Sequence, residues 1–228
     1  MTGASHRVGG MLAALAGYSI LHSKGMLIAD VNPVLQLAVI YPFAIYGSVF
    51  PDLDHGKDSI PSQDICSVAI NRLLHLSTSL RDKNGKQKLP VLSVFDAKHR
   101  SWQTHSDLFL LVTLALSVSL ISGYAGSANG IILRLVATGF ILGVISHLIL
   151  DMLTTDGIWS IVAVLLRRVF NLKNLPSKIH LVPKSGFFAT DGPWEGLVRR
   201  IMWVLNIILF IRILYSMLPF HLVYIPWG

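Results

Sequence analysis

Residues 131–151 read IILRLVATGFILGVISHLILD, and they set the architecture of the whole chain. The apolar run from Ile131 to Leu150 is long enough to cross a lipid bilayer as a helix, since a crossing needs about 20 apolar residues. Two ionisable side chains, His147 and Asp151, lie at the end of this run. Their spacing places both on one face of a helix. Ionisable groups inside an apolar helix are costly and tend to be functional.

Four further apolar stretches indicate a protein with several membrane helices. Over the chain, 53% of residues are hydrophobic and 14% are charged, whereas soluble domains carry about 25% charged residues. We therefore predict an all-α, polytopic membrane helical bundle with about five spans, forming a single domain over residues 1–228. The alternative is a soluble helical protein, and the scarcity of charges counts against it. The further stretches are Met11–Leu27, Val34–Phe50, Leu108–Ile121 and Ile201–Leu218.

Counting the crossings from the N-terminus places the His- and Asp-rich segments at one membrane face. The polar segments 52–107 and 154–200 both fall there, and they hold most of the Lys and Arg residues. The opposite loops hold Lys24. The positive-inside rule makes the polar face cytoplasmic. The net charge of +7 does not indicate nucleic-acid binding, because no basic run is interleaved with exposed aromatic residues.

Two segments pair carboxylates with imidazoles. In Pro51-Asp52-Leu53-Asp54-His55 the two carboxylates repel each other unless a cation neutralises them. Asp and His are both ligands for zinc and for manganese-like ions. A turn with solvated Asp residues is an equal alternative for this segment. For His147 and Asp151 we favour metal ligation, or a ligand with its orienting partner, over a purely structural hydrogen bond.

A third segment adds two imidazoles and a guanidinium. His99 and His105 are able to ligate metal, and the side chain of Arg100 is shaped to clamp a phosphate or a carboxylate. A basic loop that touches anionic lipid is the alternative. His6, ahead of the first apolar stretch, and Glu195, ahead of the fifth, are weaker candidates when taken alone.

Taken together, these residues predict a one-sided metal cluster. There are more candidate ligands than the four of a single zinc ion, so either more than one ion binds or some residues support the ligands. A bound metal lowers the pKa of a water molecule towards about 7 and so generates a nucleophile for hydrolysis. Arg100 would steady an anionic group, and Glu195 would serve as a base or an extra ligand. The predicted metal ligands are His6, Asp52, Asp54, His55, His99, His105, His147 and Asp151.

In their order along the chain, these elements resemble the YdjM family of membrane-bound proteins described as metal-dependent hydrolases. The resemblance rests on His6, on residues 51–55, on His99-Arg100 with Thr104-His105-Ser106, and on residues 146–154. Gly157, Leu181-Val182-Pro183 and Glu195 continue it. The family is distantly similar to zinc-dependent phospholipase C, an all-helical phosphodiesterase. The resemblance implies a protein of the bacterial inner membrane and a phosphoester substrate.

Our leading hypothesis is a membrane-bound metal-dependent hydrolase that acts on a phosphoester or lipid-type substrate through a metal-activated water. We expect zinc as the cofactor, with manganese as the alternative, and membrane lipid as a partner. The second hypothesis is a non-enzymatic metal-binding scaffold or a stress-response adaptor. A transporter is the third, and it is disfavoured because the polar groups gather at the ends of the spans.

Overall fold

The computed structural model describes residues 1–54, 68–69, 104–124, 127–171, 175–183 and 186–217. This part of the chain is mostly helical, and each of the five apolar stretches forms most of one helix. The prediction of an all-α fold is therefore confirmed at the level of fold class. The α-helices are α1 (Gly3–Ser23), α2 (Pro33–Val49), α3 (Asp107–Gly123), α4 (Ala128–Met152), α5 (Ile161–Phe170) and α6 (Pro193–Met217).

Short elements connect the helices at one end of the bundle. One 3₁₀ helix continues α2, another precedes α6, and two strands form an antiparallel ribbon with Trp159 opposite Lys178. The sequence analysis did not predict this ribbon, because two-residue strands are too short to produce an alternating pattern. The elements are the 3₁₀ helices Phe50–Asp54 and Gly186–Phe188, and the strands β1 (Ile158–Trp159) and β2 (Lys178–Ile179).

Side-chain caps fix where four of the helices begin. Asn32 accepts a hydrogen bond from a backbone amide of the first turn of α2 at 2.8 Å, and Pro33 occupies the first helical position. Ser106, Ser127 and Ser160 cap α3, α4 and α5 in the same way. Such caps satisfy amide groups that have no partner within the helix, so the sequence itself sets these boundaries.

The helices α2 and α4 run in the same direction with their backbones in contact. A Cβ atom added to Gly143 would collide with the carbonyl of Ala44, and one added to Gly139 would collide with the carbonyl of Ile40. Small residues at such positions let two helices approach closely, as is common in membrane proteins. One turn beyond Gly143, the side chain of His147 reaches the carbonyl of Ser48. The close packing therefore sets the position of this imidazole.

Helix direction alternates in the bundle, so polar helix ends meet on one side. Gly9 packs on Leu150 and Gly17 packs on Leu142, so α1 is antiparallel to α4, and the hydrogen bond from Asn206 to Val8 at 3.2 Å joins α6 to α1. Consequently α1, α3 and α6 begin at the end of the bundle where α2 and α4 finish. Tyr18 belongs to the apolar cluster further along the bundle.

Two segments, Pro33–Leu53 and Asn129–Met152, are long and apolar enough to cross a membrane. A third helix, Asp107–Gly123, is apolar but shorter. Large apolar side chains on the outer faces of α3 and α6 are exposed, among them Leu116 and Trp203. The described helices therefore include two candidate spans by length and composition.

Candidate metal centre

Five buried His and Asp side chains from four segments of the chain converge at the polar end of the bundle. His6 lies in the first turns of α1, and Asp52 lies in the 3₁₀ helix that follows α2. His105 immediately precedes the cap of α3, and His147 and Asp151 lie in the last turns of α4. Asp52 is 6% exposed and the other four are 0% exposed. These five residues, all predicted from the sequence as metal ligands, lie close together in the structure.

The inner part of the cluster consists of two imidazole nitrogens and two carboxylate oxygens. The Nε2 atoms of His105 and His147 are 3.1 Å apart, and each lies 3.4 Å from Oδ2 of Asp151. Oδ1 of Asp52 lies 3.4 Å from Nε2 of His105 and 3.8 Å from Nε2 of His147. Four atoms of the types that bind transition metals thus face one another in a buried space.

The tautomer of His147 is set by a backbone carbonyl. Its Nδ1 atom donates a hydrogen bond to the carbonyl of Ser48 at 2.7 Å, since a carbonyl oxygen only accepts. In the neutral imidazole, Nε2 then carries a lone pair and points towards the carboxylates of Asp52 and Asp151. Electron-rich atoms this close repel each other unless a proton or a metal ion lies between them. The donor set therefore calls for a cation.

The distances from the two imidazole nitrogens to their neighbours suit a tetrahedral metal ion. With bonds of about 2.1 Å to nitrogen and oxygen, a tetrahedral ion has ligand atoms about 3.4 Å apart. The five distances described above run from 3.1 to 3.8 Å and fall on both sides of that value. Asp52, His105 and His147 could accordingly hold a divalent ion, with the carboxylate of Asp151 beside both imidazoles.

His6 lies at the edge of this group. Its ring stacks on that of His147 with the centroids 3.7 Å apart, and its Nε2 atom donates to the carbonyl of Met1 at 3.1 Å. The same Nε2 atom is 3.4 Å from Oδ1 of Asp151, which also accepts a hydrogen bond from the amino group of Met1 at 2.8 Å. His6, His147 and Asp151 form a second potential metal-binding group. Because both groups contain His147, these described residues make up one centre rather than two separate ones.

Polar groups around the centre hold the ligands in place, a role that the sequence analysis assigned to none of them. The hydroxyl of Thr104 lies 2.9 Å from Nδ1 of His105, and the carbonyl of His105 accepts a hydrogen bond from the amide of Trp159 at 2.9 Å. The carbonyl of Ser48 orients His147. A backbone carbonyl has no sequence signal of its own, so only the packing of α2 on α4 could reveal that contact.

Glu195 is buried near the centre, and hydrogen bonds occupy its carboxylate. Oε1 of Glu195 accepts hydrogen bonds from the amide and the hydroxyl of Thr2 and from the hydroxyl of Ser5, each at 2.6 Å. Oε2 accepts a bond from the amide of Asp191 at 2.7 Å. Burial alone would raise the pKa of this carboxyl, but these hydrogen bonds favour the charged form and lower the pKa to about 2. Glu195 thereby ties the start of α6 to the start of α1.

Four of the predicted site residues have side chains outside the described part of the chain. The side chain of Asp54, together with His55, His99 and Arg100, lies outside the described residues. Their assignments as metal ligands, and that of Arg100 as an anion-binding group, stay predictions. The role of Glu195 as a base or extra ligand also stays a prediction, and its carboxylate belongs to neither potential metal-binding group of the described part.

The fold and the site define a class: a helical protein with candidate membrane spans and a buried His/Asp cluster that could bind metal. The family model described as YdjM inner membrane protein matches residues 1–218, and the chain belongs to this family. The resemblance drawn from the sequence is thus confirmed, and the family description indicates an inner membrane protein. No curated protein and no solved structure matches the chain. Similarity to zinc-dependent phospholipase C stays a prediction.

Proposed function

We propose that this protein is a membrane-bound metal-dependent hydrolase that acts on a phosphoester or lipid-type substrate. The observation that carries the proposal is that two buried imidazole nitrogens lie within 3.1–3.8 Å of each other and of two carboxylate oxygens inside the bundle. Burying carboxylates and imidazoles without function is costly, so such clusters are uncommon outside metal and catalytic sites.

Zinc is the ion that we propose, with manganese as the alternative, because the spacing of the ligand atoms suits tetrahedral coordination. A divalent ion held here would supply Lewis acidity, which lowers the pKa of a water molecule towards about 7 and polarises a phosphoryl oxygen. Hydrolysis of a phosphodiester adds water across one P–O bond and releases an alcohol and a phosphomonoester. The buried carboxylates of Asp52 and Asp151 offset the charge of the ion.

The remaining predicted residues complete the proposal. Arg100 would bind the anionic group of the substrate, and His55, His99 and Asp54 would add ligands for this ion or a second one. Glu195 was predicted as a base. Its hydrogen bonds to Thr2, Ser5 and Asp191 favour instead a positioning role at the start of α1.

We also propose that five helices, α1, α2, α3, α4 and α6, cross the membrane with the metal centre at the cytoplasmic face. Two observations support this topology. The helices alternate in direction, and the outward faces of α3 and α6 carry exposed apolar side chains such as Val112, Leu116, Trp203 and Ile207. Lipid is the environment in which such surfaces are stable.

The proposal is tested on protein purified in mild detergent. Elemental analysis should find bound divalent metal, and the protein should hydrolyse a soluble phosphodiester or a phospholipid when zinc or manganese is supplied. The paired change His147→Ala and Asp151→Ala should remove both the metal and the activity. The matched control is His22→Ala, which removes the imidazole of an exposed histidine near the end of α1. Unchanged metal content in the paired variant would refute the proposed site.

A non-enzymatic metal-binding scaffold or a stress-response adaptor is the second candidate. The complete burial of His105, His147 and Asp151 favours it, because a structural metal site has no need of access for a substrate. This candidate predicts the same metal content without turnover on any phosphoester. The two candidates therefore give different results in the same assay.

A further inference from the structure

A basic cavity lies beside the two-stranded ribbon, outside the metal centre. We name it the ribbon cavity; its volume is about 440 Å³, and the polar side chains that line it include Asp156, Arg167, Lys178 and His180. The ammonium group of Lys178 is held 4.9 Å from the centre of the Trp159 ring, a distance typical of a cation–π contact. Arg167 and Lys178 form no ion pair with the described residues. Among the described residues that line it, the cavity therefore has two cationic side chains, Arg167 and Lys178, and one carboxylate, Asp156.

The helix α5 beside this cavity is strongly amphipathic, and no residue of it is buried. Its apolar face consists of side chains spaced by three and four residues, while the two arginines point away from that face. The exposed fractions reach 54% for Leu165 and 71% for Val169. A short helix with an exposed apolar face and arginines opposite suits the interface between lipid tails and headgroups. The apolar face is formed by Val162, Leu165, Leu166 and Val169.

Hydrogen bonds to Asp107 hold the start of α5 against the bundle. The carboxylate of Asp107 accepts hydrogen bonds from the hydroxyl of Ser160 and from the amide of Ile161, both at 2.8 Å. A carboxylate at the beginning of a helix is favourable both as a hydrogen-bond acceptor and through the helix dipole. Since Asp107 begins α3, the amphipathic helix is fixed to the bundle.

The ribbon cavity is connected directly to the metal centre through the backbone. The amide of Trp159 bonds to the carbonyl of the ligand His105, and the amide of Leu181 bonds to the carbonyl of Met152 at 2.7 Å. Thr155 and Asp156, which line the cavity, follow the ligand Asp151 in the chain. The cavity and the centre thus share the same end of the bundle.

We propose that the ribbon cavity binds the phosphate group of an anionic membrane phospholipid, while α5 lies in the lipid interface. The guanidinium of Arg167 and the ammonium of Lys178 match a phosphate in charge, and the apolar face of α5 provides contact for the acyl chains. The identification of this lipid as the substrate rests on the proposed hydrolase function, whereas its binding does not.

Native mass spectrometry of the detergent-purified protein tests the binding. An equal mixture of phosphatidylglycerol and phosphatidylcholine should leave phosphatidylglycerol bound in preference. Arg167→Gln should reduce that binding about tenfold, the effect of losing one hydrogen bond to a charged group. Arg168→Gln is the matched control, because it removes the same charge from the adjacent position of α5 but does not line the ribbon cavity.

Two results would overturn the lipid assignment. One is equal loss of lipid in Arg167→Gln and Arg168→Gln, which would show a diffuse basic surface. The other is displacement of the lipid by millimolar inorganic phosphate together with tight binding of phosphate alone, which would show a site for free phosphate.

The same experiment separates this inference from the hydrolase proposal. The paired His147→Ala and Asp151→Ala variant should keep its phosphatidylglycerol although it loses the metal. Lipid binding that depends on Arg167 in a wild-type protein without turnover would uphold the lipid site and refute the hydrolase. Turnover of a soluble phosphodiester without Arg167-dependent lipid binding would uphold the hydrolase and refute the lipid site.

Discussion

His6 and His147 have stacked rings but contact different parts of the cluster. Nε2 of His147 faces His105 and both carboxylates, whereas Nε2 of His6 donates to a backbone carbonyl. An imidazole nitrogen that donates a hydrogen bond does not ligate metal, and the other ring nitrogen of His6, Nδ1, is buried without a hydrogen-bond partner among the described residues. His147 is therefore the better candidate for direct coordination, and His6 for support of Asp151.

This difference predicts unequal effects of two alanine substitutions on metal affinity. His147→Ala should abolish metal binding, whereas His6→Ala should weaken it about 10- to 100-fold, as is usual when a residue that supports a ligand is removed. Metal retained during dialysis against a chelator of graded strength measures both, with His22→Ala as control. Equal and complete loss in the two variants would make His6 a ligand.

Glu195 predicts a pH-dependent contribution to stability. Its pKa falls from the usual 4.5 to about 2, so its contribution is present above pH 4.5 and is lost as the pH falls towards 2. Glu195→Gln should cost about 1–3 kcal/mol at pH 7, because hydrogen-bond donors of Thr2 and Ser5 lose a charged acceptor. Thermal unfolding at pH 7 and pH 3 should show a gap between wild type and variant that narrows in acid. A gap that stays constant would contradict the assignment.

At the scale of elements, the contact between α2 and α4 positions the ligands of the centre. The carbonyl that orients His147 belongs to Ser48, and Asp52 follows one turn later in the 3₁₀ helix. Both depend on how closely the two helices approach, and that approach depends on small residues such as Gly143.

Enlarging Gly143 should therefore separate the two helices and disturb the metal centre. Gly143→Ala places a Cβ atom against the carbonyl of Ala44 and the amide of Ser48, and overpacking of this kind costs about 1–3 kcal/mol. The melting temperature and the metal content should both fall. Gly196→Ala is the control, since its Cβ atom would meet nothing within 4 Å. A Gly143→Ala variant with normal metal content would show that the centre tolerates this shift.

At the scale of the whole molecule, the proposed topology predicts which positions are accessible from each side of the membrane. In a Cys66→Ser background, a cysteine at Ser23 should react with an impermeant maleimide in intact cells, whereas one at Leu181 should react only after the inner membrane is opened. Both positions are exposed, but Ser23 ends α1 and Leu181 bonds to the end of α4. The opposite pattern would invert the orientation, and reaction of both in intact cells would refute the number of spans.

The sequence predicted the helices well, and it also predicted that five of the candidate ligands lie at one end of the bundle. Long apolar runs predict helices, because each crossing or buried helix needs many consecutive apolar residues. Counting helix directions then sufficed to bring His6, Asp52, His105, His147 and Asp151 to one end. This reasoning needed no knowledge of side-chain contacts.

What the sequence could not provide depends on packing between distant segments. The bond from His147 to the carbonyl of Ser48 and the bonds from Thr2 and Ser5 to Glu195 join residues far apart in the chain. Neither has a local pattern. The ribbon was missed because its strands are only two residues long. The helix α1 begins at Gly3, ahead of the predicted apolar stretch Met11–Leu27, because its first turns are not strongly apolar.

The proposed ligands are drawn from three separate stretches of the chain, and this makes the cation a cross-link. One ion would link the 3₁₀ helix after α2, the residue before the cap of α3 and the end of α4, and His6 would connect the start of α1 to the ligand Asp151. At a free concentration one hundred times its dissociation constant, an ion that binds the native form alone adds about 2.7 kcal/mol to stability. The unfolding temperature should then rise with the concentration of free metal, and a chelator should lower it by removing the link between these segments.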